Sequence, residues 1–264
     1  MGYALADDVR PQVKLLMIAT LVSFGLWLLS MYLPFVGWVV YPLQLFATFV
    51  HEGSHVLATV LTGNTVQSLT VSPDTSGVVW SQSSGWLSQL FISSAGYIGT
   101  TVFGAALLAW IRYDRSSRMA LYISSGFVAV MTVIFGILAP MWNLLANVTL
   151  GSIAFTVFAG AVLSLGLAAV ARYASVKWVN FATAFLAVQC LLNAVFSLVD
   201  LFFISTLTPA HSDAVNMANA TGIPAIVWVF LWIGISAVII SLGLRIYAVR
   251  AQRIAANDSV FEDQ

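Results

Sequence analysis

Long apolar runs, separated by short polar or glycine- and proline-bearing stretches, set the rhythm of this chain. Seven runs are long enough to cross a hydrocarbon slab of about 30 Å as α-helices. They fall at about residues 14–33, 36–62, 86–111, 119–139, 147–171, 178–206 and 222–247. The pattern predicts an all-α polytopic membrane protein of about six to seven transmembrane helices, in a single domain. Residues 1–13 read as an N-terminal tail, 14–247 as the helical core and 248–264 as a flexible C-terminal tail. The helical pattern lapses once. Residues 64–84, NTVQSLTVSPDTSGVVWSQSS, hold two β-favouring runs at 66–71 and 77–80, with the turn formers Pro73, Asp74, Thr75, Ser76 and Gly77 between them. They predict a short β-hairpin after the second helix, with a polar surface loop as the alternative.

Composition agrees with a bilayer protein. Of 264 residues, 60% are hydrophobic and 8% charged, against roughly 25% charged in soluble domains. The formal net charge is zero and no basic patch suggests a nucleic-acid partner. One cysteine, Cys190, excludes an internal disulfide framework, and a lone intramembrane thiol reads as a small buried apolar side chain. The first apolar run follows Arg10 and Lys14, but it is about 20 residues long and lacks a small-x-small cleavage site. It reads as a retained helix.

Against this background a few polar residues stand out. Between Phe35 and Leu61 the ionisable side chains are His51, Glu52 and His55, within the stretch FVHEGSH. An acid at mid-bilayer costs about 2.5 kcal/mol or more, so such groups usually serve function. His51-Glu52-Gly53-Ser54-His55 is an H-E-x-x-H sequence. On a helix, positions i and i+4 share a face, so both imidazoles can converge on one tetrahedral Zn²⁺. Glu52 points off that pair, and its carboxylate can still reach an attacking water and take its proton. The bland alternative is polar residues at accidental spacing, bonding between helices.

Catalytic zinc takes three protein ligands and leaves a fourth position open. In the sixth segment Gln189, Asn193, Ser197 and Asp200 form a polar stripe on one helix face. Interhelical hydrogen bonding accounts for the first three, but less readily for an ionisable group. Asp200 is therefore the favoured third ligand, and Asn193 a candidate to orient a substrate carbonyl or a bound water. The rivals are His211 and Asp213 in LTPAHSDAVNMANATG, where a solvated loop pair is the ordinary expectation. Asp74 reads as a turn residue. Gly96, Gly99 and Gly104 read as sites of close helix packing.

These residues together resemble the site-2 protease class of intramembrane zinc metalloproteases, and more closely the M50B-like peptidase family. The resemblance rests on FVHEGSHVLATVLTGNTVQSLTVSPDTSG, on SAGYIGTTVFGAALL at 94–108, and on LNAVFSLVDL followed by SDAVNMANATGIPAIVWVFLW. It implies a Zn²⁺-dependent peptidase with His51 and His55 as ligands and Glu52 as general base. It also implies a transmembrane or membrane-associated protein substrate, and a place in the plasma membrane of a bacterium. The site-2 class usually carries its third ligand in an Asn-Pro-Asp-Gly type motif. Here Asn193 and Asp200 have roughly that relation, but no Pro or Gly flanks Asp200, so the local backbone shape does not transfer. A non-proteolytic metal-binding scaffold or regulator, and a zinc hydrolase of a non-peptide substrate, are the alternatives.

Overall fold

The computed structural model describes residues 10–112, 116–145, 148–207 and 212–258. Its elements are α1 (Arg10–Tyr32), α2 (Pro34–Leu61), β1 (Thr65–Val71), β2 (Gly77–Gln82) and α3 (Trp86–Arg112). Next, α4 (Ser117–Val130) runs through a π-helical segment (Met131–Leu138) into α5 (Ala139–Trp142). The remainder comprises α6 (Leu150–Tyr173), α7 (Val176–Leu207), α8 (Asp213–Thr221) and α9 (Ala225–Asp258). The chain is thus an all-helical membrane protein with one small hairpin, as the apolar pattern predicts. Five stretches among the described residues are long and apolar enough to span: α3, Ser117–Trp142, α6, most of α7 and the first part of α9. α1 and α2 are 23 and 28 residues long, and the H-E-x-x-H turn interrupts the apolar character of α2. Outward faces carry large apolar side chains such as Phe158, Leu165, Trp178 and Phe230, as lipid contact requires.

Two devices place α2. Pro34 stands in its first turn, where the missing N–H costs nothing. At its other end Gly63 takes the left-handed conformation at φ +73°, and the chain turns directly into β1. Small residues then let α3 come close. A Cβ on Gly99 would collide with the Ser54 side chain of α2, and one on Gly104 would lie 2.8 Å from Leu191 of α7. The expected packing role of these glycines is what the structure contains.

The strands pair antiparallel, Thr65 opposite Gln82 and Val71 opposite Gly77, with an irregularity between Val66 and Ser68. The inner half of β1, Ser68 to Val71, is buried. There the Val71 N–H donates to Thr156 Oγ1 of α6 at 2.8 Å. Among the described residues β2 has no further strand beside it, so its outer edge has no strand partner. The turn is an Asx type: Asp74 Oδ1 accepts from Ser76 N at 3.0 Å and from Ser76 Oγ at 2.6 Å. The Ser76 hydroxyl, followed by its N–H, holds the Asp74 carboxyl below the usual carboxylate range.

α8 is a helix that the apolar pattern does not show. Ser212 caps its first turn by accepting from Val215 N at 3.4 Å, and Gly222 ends it at φ +73°. Ala214 and Met217, three positions apart, bury one face. They join a core cluster with Trp228, Val229 and Trp232 of α9.

Candidate metal centre

His51 and His55 lie one turn apart on α2 with ring centroids 4.9 Å apart. The His55 Nδ1–H donates to the Ile92 carbonyl of α3 at 2.6 Å. That bond leaves Nε2 as the acceptor and holds the ring in place, an arrangement usual behind metal-ligating histidines. Opposite both rings stands Asp213, in the first turn of α8, where the helix dipole favours an anion. Its Oδ2 lies 3.6 Å from His51 Nε2 and 3.3 Å from His55 Nε2. One ligand atom from each of the three residues lies within 4.8 Å of the other two.

The donor set fits zinc: two imidazole nitrogens and a carboxylate oxygen form a familiar catalytic triplet. Space fits as well. Gly96 of α3 faces both imidazoles, and a Cβ there would overlap His51 Nε2 and lie 2.5 Å from His55 Nε2. The glycine keeps the cradle open. Gly96→Ala is therefore expected to weaken zinc binding about 10- to 100-fold, the range for perturbing groups around a metal's ligands. Competition against a fluorescent zinc chelator checks this. An unchanged affinity would mean that α3 shifts to accommodate the methyl group.

Glu52 is buried at 6% exposure. It borders a cleft of about 340 Å³ together with Gln44, Thr48 and His51 of α2. Gly77 at the start of β2 lies against it; a Cβ there would stand 2.6 Å from Glu52 Oε1. The hairpin turn is tied over the cleft by two hydroxyl donors from α2. Tyr41 donates to Pro73 O at 2.7 Å and Thr48 Oγ1 to Thr75 O at 2.6 Å.

Asp200 is not in the converging group. It lies exposed on the cleft wall with Asn193, Phe196 and Ser197 of α7, while Asp213 occupies the position opposite the imidazoles. The sequence favours Asp200 as third ligand; the structure brings its rival Asp213, and not Asp200, beside the two imidazoles. α8, the next described helix after α7, brings the later aspartate beside the histidines. Asn193 lines the same cleft. Within its stripe, Ser197 Oγ donates to Asn193 Oδ1 at 3.5 Å. His211, the other rival, lies outside the described residues.

Among protein families, the one described as Peptidase M50B-like matches residues 16–243 of the chain. No curated protein and no solved structure matches it.

Proposed function

The chain belongs to the Peptidase M50B-like family, and on that premise we propose that it is a zinc metallopeptidase hydrolysing peptide bonds of membrane-associated proteins within or beside the bilayer. One observation carries the reading: His51, His55 and Asp213 bring three ligand atoms together beside a cleft that Glu52 lines. His51 Nε2, His55 Nε2 and an Asp213 carboxylate oxygen would hold the ion. When bound, zinc supplies a Lewis acid that makes water acidic enough to attack at neutral pH, with a pKa near ~7.

The remaining work falls to the protein's own groups. A Glu52 carboxylate oxygen accepts the proton of the attacking water and delivers it to the leaving nitrogen as the C–N bond breaks. Burial of Glu52 keeps bulk water from competing for that proton. The Asn193 amide, on the α7 side of the cleft, would hydrogen-bond the substrate backbone. A substrate helix has its carbonyls occupied by its own hydrogen bonds, so it must unwind before cleavage. The outer edge of β2, which has no strand partner among the described residues and begins beside Glu52, would take the unwound segment by strand addition.

The test is metal removal. Purified full-length protein in detergent is expected to cleave members of a hydrophobic fluorogenic peptide library. It should lose that activity with 1,10-phenanthroline and recover it on return of one equivalent of Zn²⁺. Cleavage that persists in the metal-free protein would sink the reading.

A further inference from the structure

The aromatic wall of the cleft holds a donor that the mechanism above does not use. Tyr97 lines the cleft one residue after Gly96, the glycine that makes room for the imidazoles. Its ring meets His51 edge-on, with centroids 4.7 Å apart and planes at 84°. It also stacks on Trp232, at 5.3 Å and 21°. Trp232 is in turn fully buried, and its Nε1–H donates to Ser94 Oγ at 3.0 Å. A ring gripped by two aromatic partners and 8% exposed has little freedom to turn.

A tyrosine this buried usually gives its O–H to a partner. Among the described residues no hydrogen bond occupies this one, although Asp213, Glu52 and Asp200 all lie within electrostatic range of it. On the α7 wall Ser197 Oγ donates to Asn193 Oδ1 at 3.5 Å, which leaves the Asn193 amide N–H groups as a second donor set across the cleft. Tyr97 therefore presents an unspent, pre-oriented donor beside the ligand histidines.

Resting on the peptidase reading, we propose that Tyr97 is a catalytic residue whose phenolic O–H donates a hydrogen bond to the carbonyl oxygen of the bond being cleaved. That oxygen is a modest acceptor in the substrate and a strong one once negative charge develops on it. The bond thus strengthens towards the transition state and raises kcat rather than affinity. No proton is transferred: the phenol keeps its hydrogen, and Glu52 handles the proton of water. The stacking on Trp232 fixes the donor in advance, so no ordering is needed during reaction.

Tyr97→Phe isolates the hydroxyl, because phenylalanine keeps the ring against His51 and Trp232. In zinc-loaded full-length protein, kcat is expected to fall about 10²- to 10³-fold, the usual loss for one oxyanion donor. KM and zinc content should hold. A phosphinic peptide analogue, tetrahedral and anionic at the reacting centre, should bind more weakly by the same factor in calorimetry. A Glu52→Gln background removes turnover and lets substrate binding be read alone. There, peptide substrate should bind equally well with and without the added Tyr97→Phe change. Unchanged kcat and phosphinate affinity in Tyr97→Phe would overturn the proposal. So would zinc loss, or an equal loss of substrate affinity, since either assigns the residue a packing role. Absence of cleavage by zinc-loaded wild type would instead remove the peptidase reading itself, and the proposal with it.

Discussion

Asp213→Ala is expected to lose zinc and all measurable cleavage, whereas Asp200→Ala keeps near one zinc per chain. Metal analysis of the purified variants reads both. The expectation follows from geometry: Asp213 Oδ2 stands within 3.6 Å of both Nε2 atoms, and Asp200 does not enter that group. Four ligands in structural zinc sites supply about 10–16 kcal/mol. A quarter of that corresponds to roughly 10²- to 10³-fold in affinity per ligand. Removing Asp213 also leaves two imidazoles facing a gap between α2 and α8, without the carboxylate that stands opposite them. Asp200→Ala alters only the cleft wall, so its effect should appear in substrate binding rather than in metal content. The reverse pattern, zinc lost with Asp200 and kept without Asp213, would restore the ligand favoured by the sequence.

Those two aspartates differ in how far local signals reach. Local physics makes α2 and the hairpin legible. Apolar and small positions around the H-E-x-x-H turn bury one face of a helix by periodicity alone, and 72–77 is dense in residues that a turn favours. The i, i+4 histidines need nothing beyond helix geometry. Asp200 draws attention for an equally local reason, an acid inside an apolar run. Asp213 sits in a polar stretch of ordinary loop composition, and nothing local says that this stretch folds back onto the helical core. Its capping pattern is nonetheless visible: Ser212, then Gly222 after the helix, then Pro224. With Ala214 and Met217 as a two-residue apolar face, that pattern gives a short helix. What it docks against is a tertiary fact, set by the Trp228, Val229 and Trp232 cluster of α9. The π-helical segment is equally hidden, since the Ala139 N–H bonding to Ile134 O five residues back has no composition signal.

Glu52→Gln is expected to cut kcat by about 10³- to 10⁴-fold, the upper range for losing a positioned general base, while zinc content stays at the wild-type level. Glutamine is nearly isosteric, so the packing of this side chain against Gly77 survives the change. What disappears is the basic oxygen: an amide carbonyl cannot hold the proton of water at neutral pH. The fold should not suffer, because a buried carboxylate is replaced by a neutral group in the same space, and desolvating a charge is the costlier case. Thermal unfolding in detergent checks that point beside metal analysis and peptide cleavage. The three readouts together separate the roles of neighbours only a residue or two apart. Loss of zinc in Glu52→Gln would make Glu52 a ligand, with the metal seated deeper in the cleft than His51, His55 and Asp213 place it. Retention of both zinc and full cleavage would move the base elsewhere, to Asp200 as the remaining carboxylate on the cleft wall. Only retention of metal with loss of turnover matches a side chain that lines the cleft, packs on the hairpin and stands apart from the ligand group.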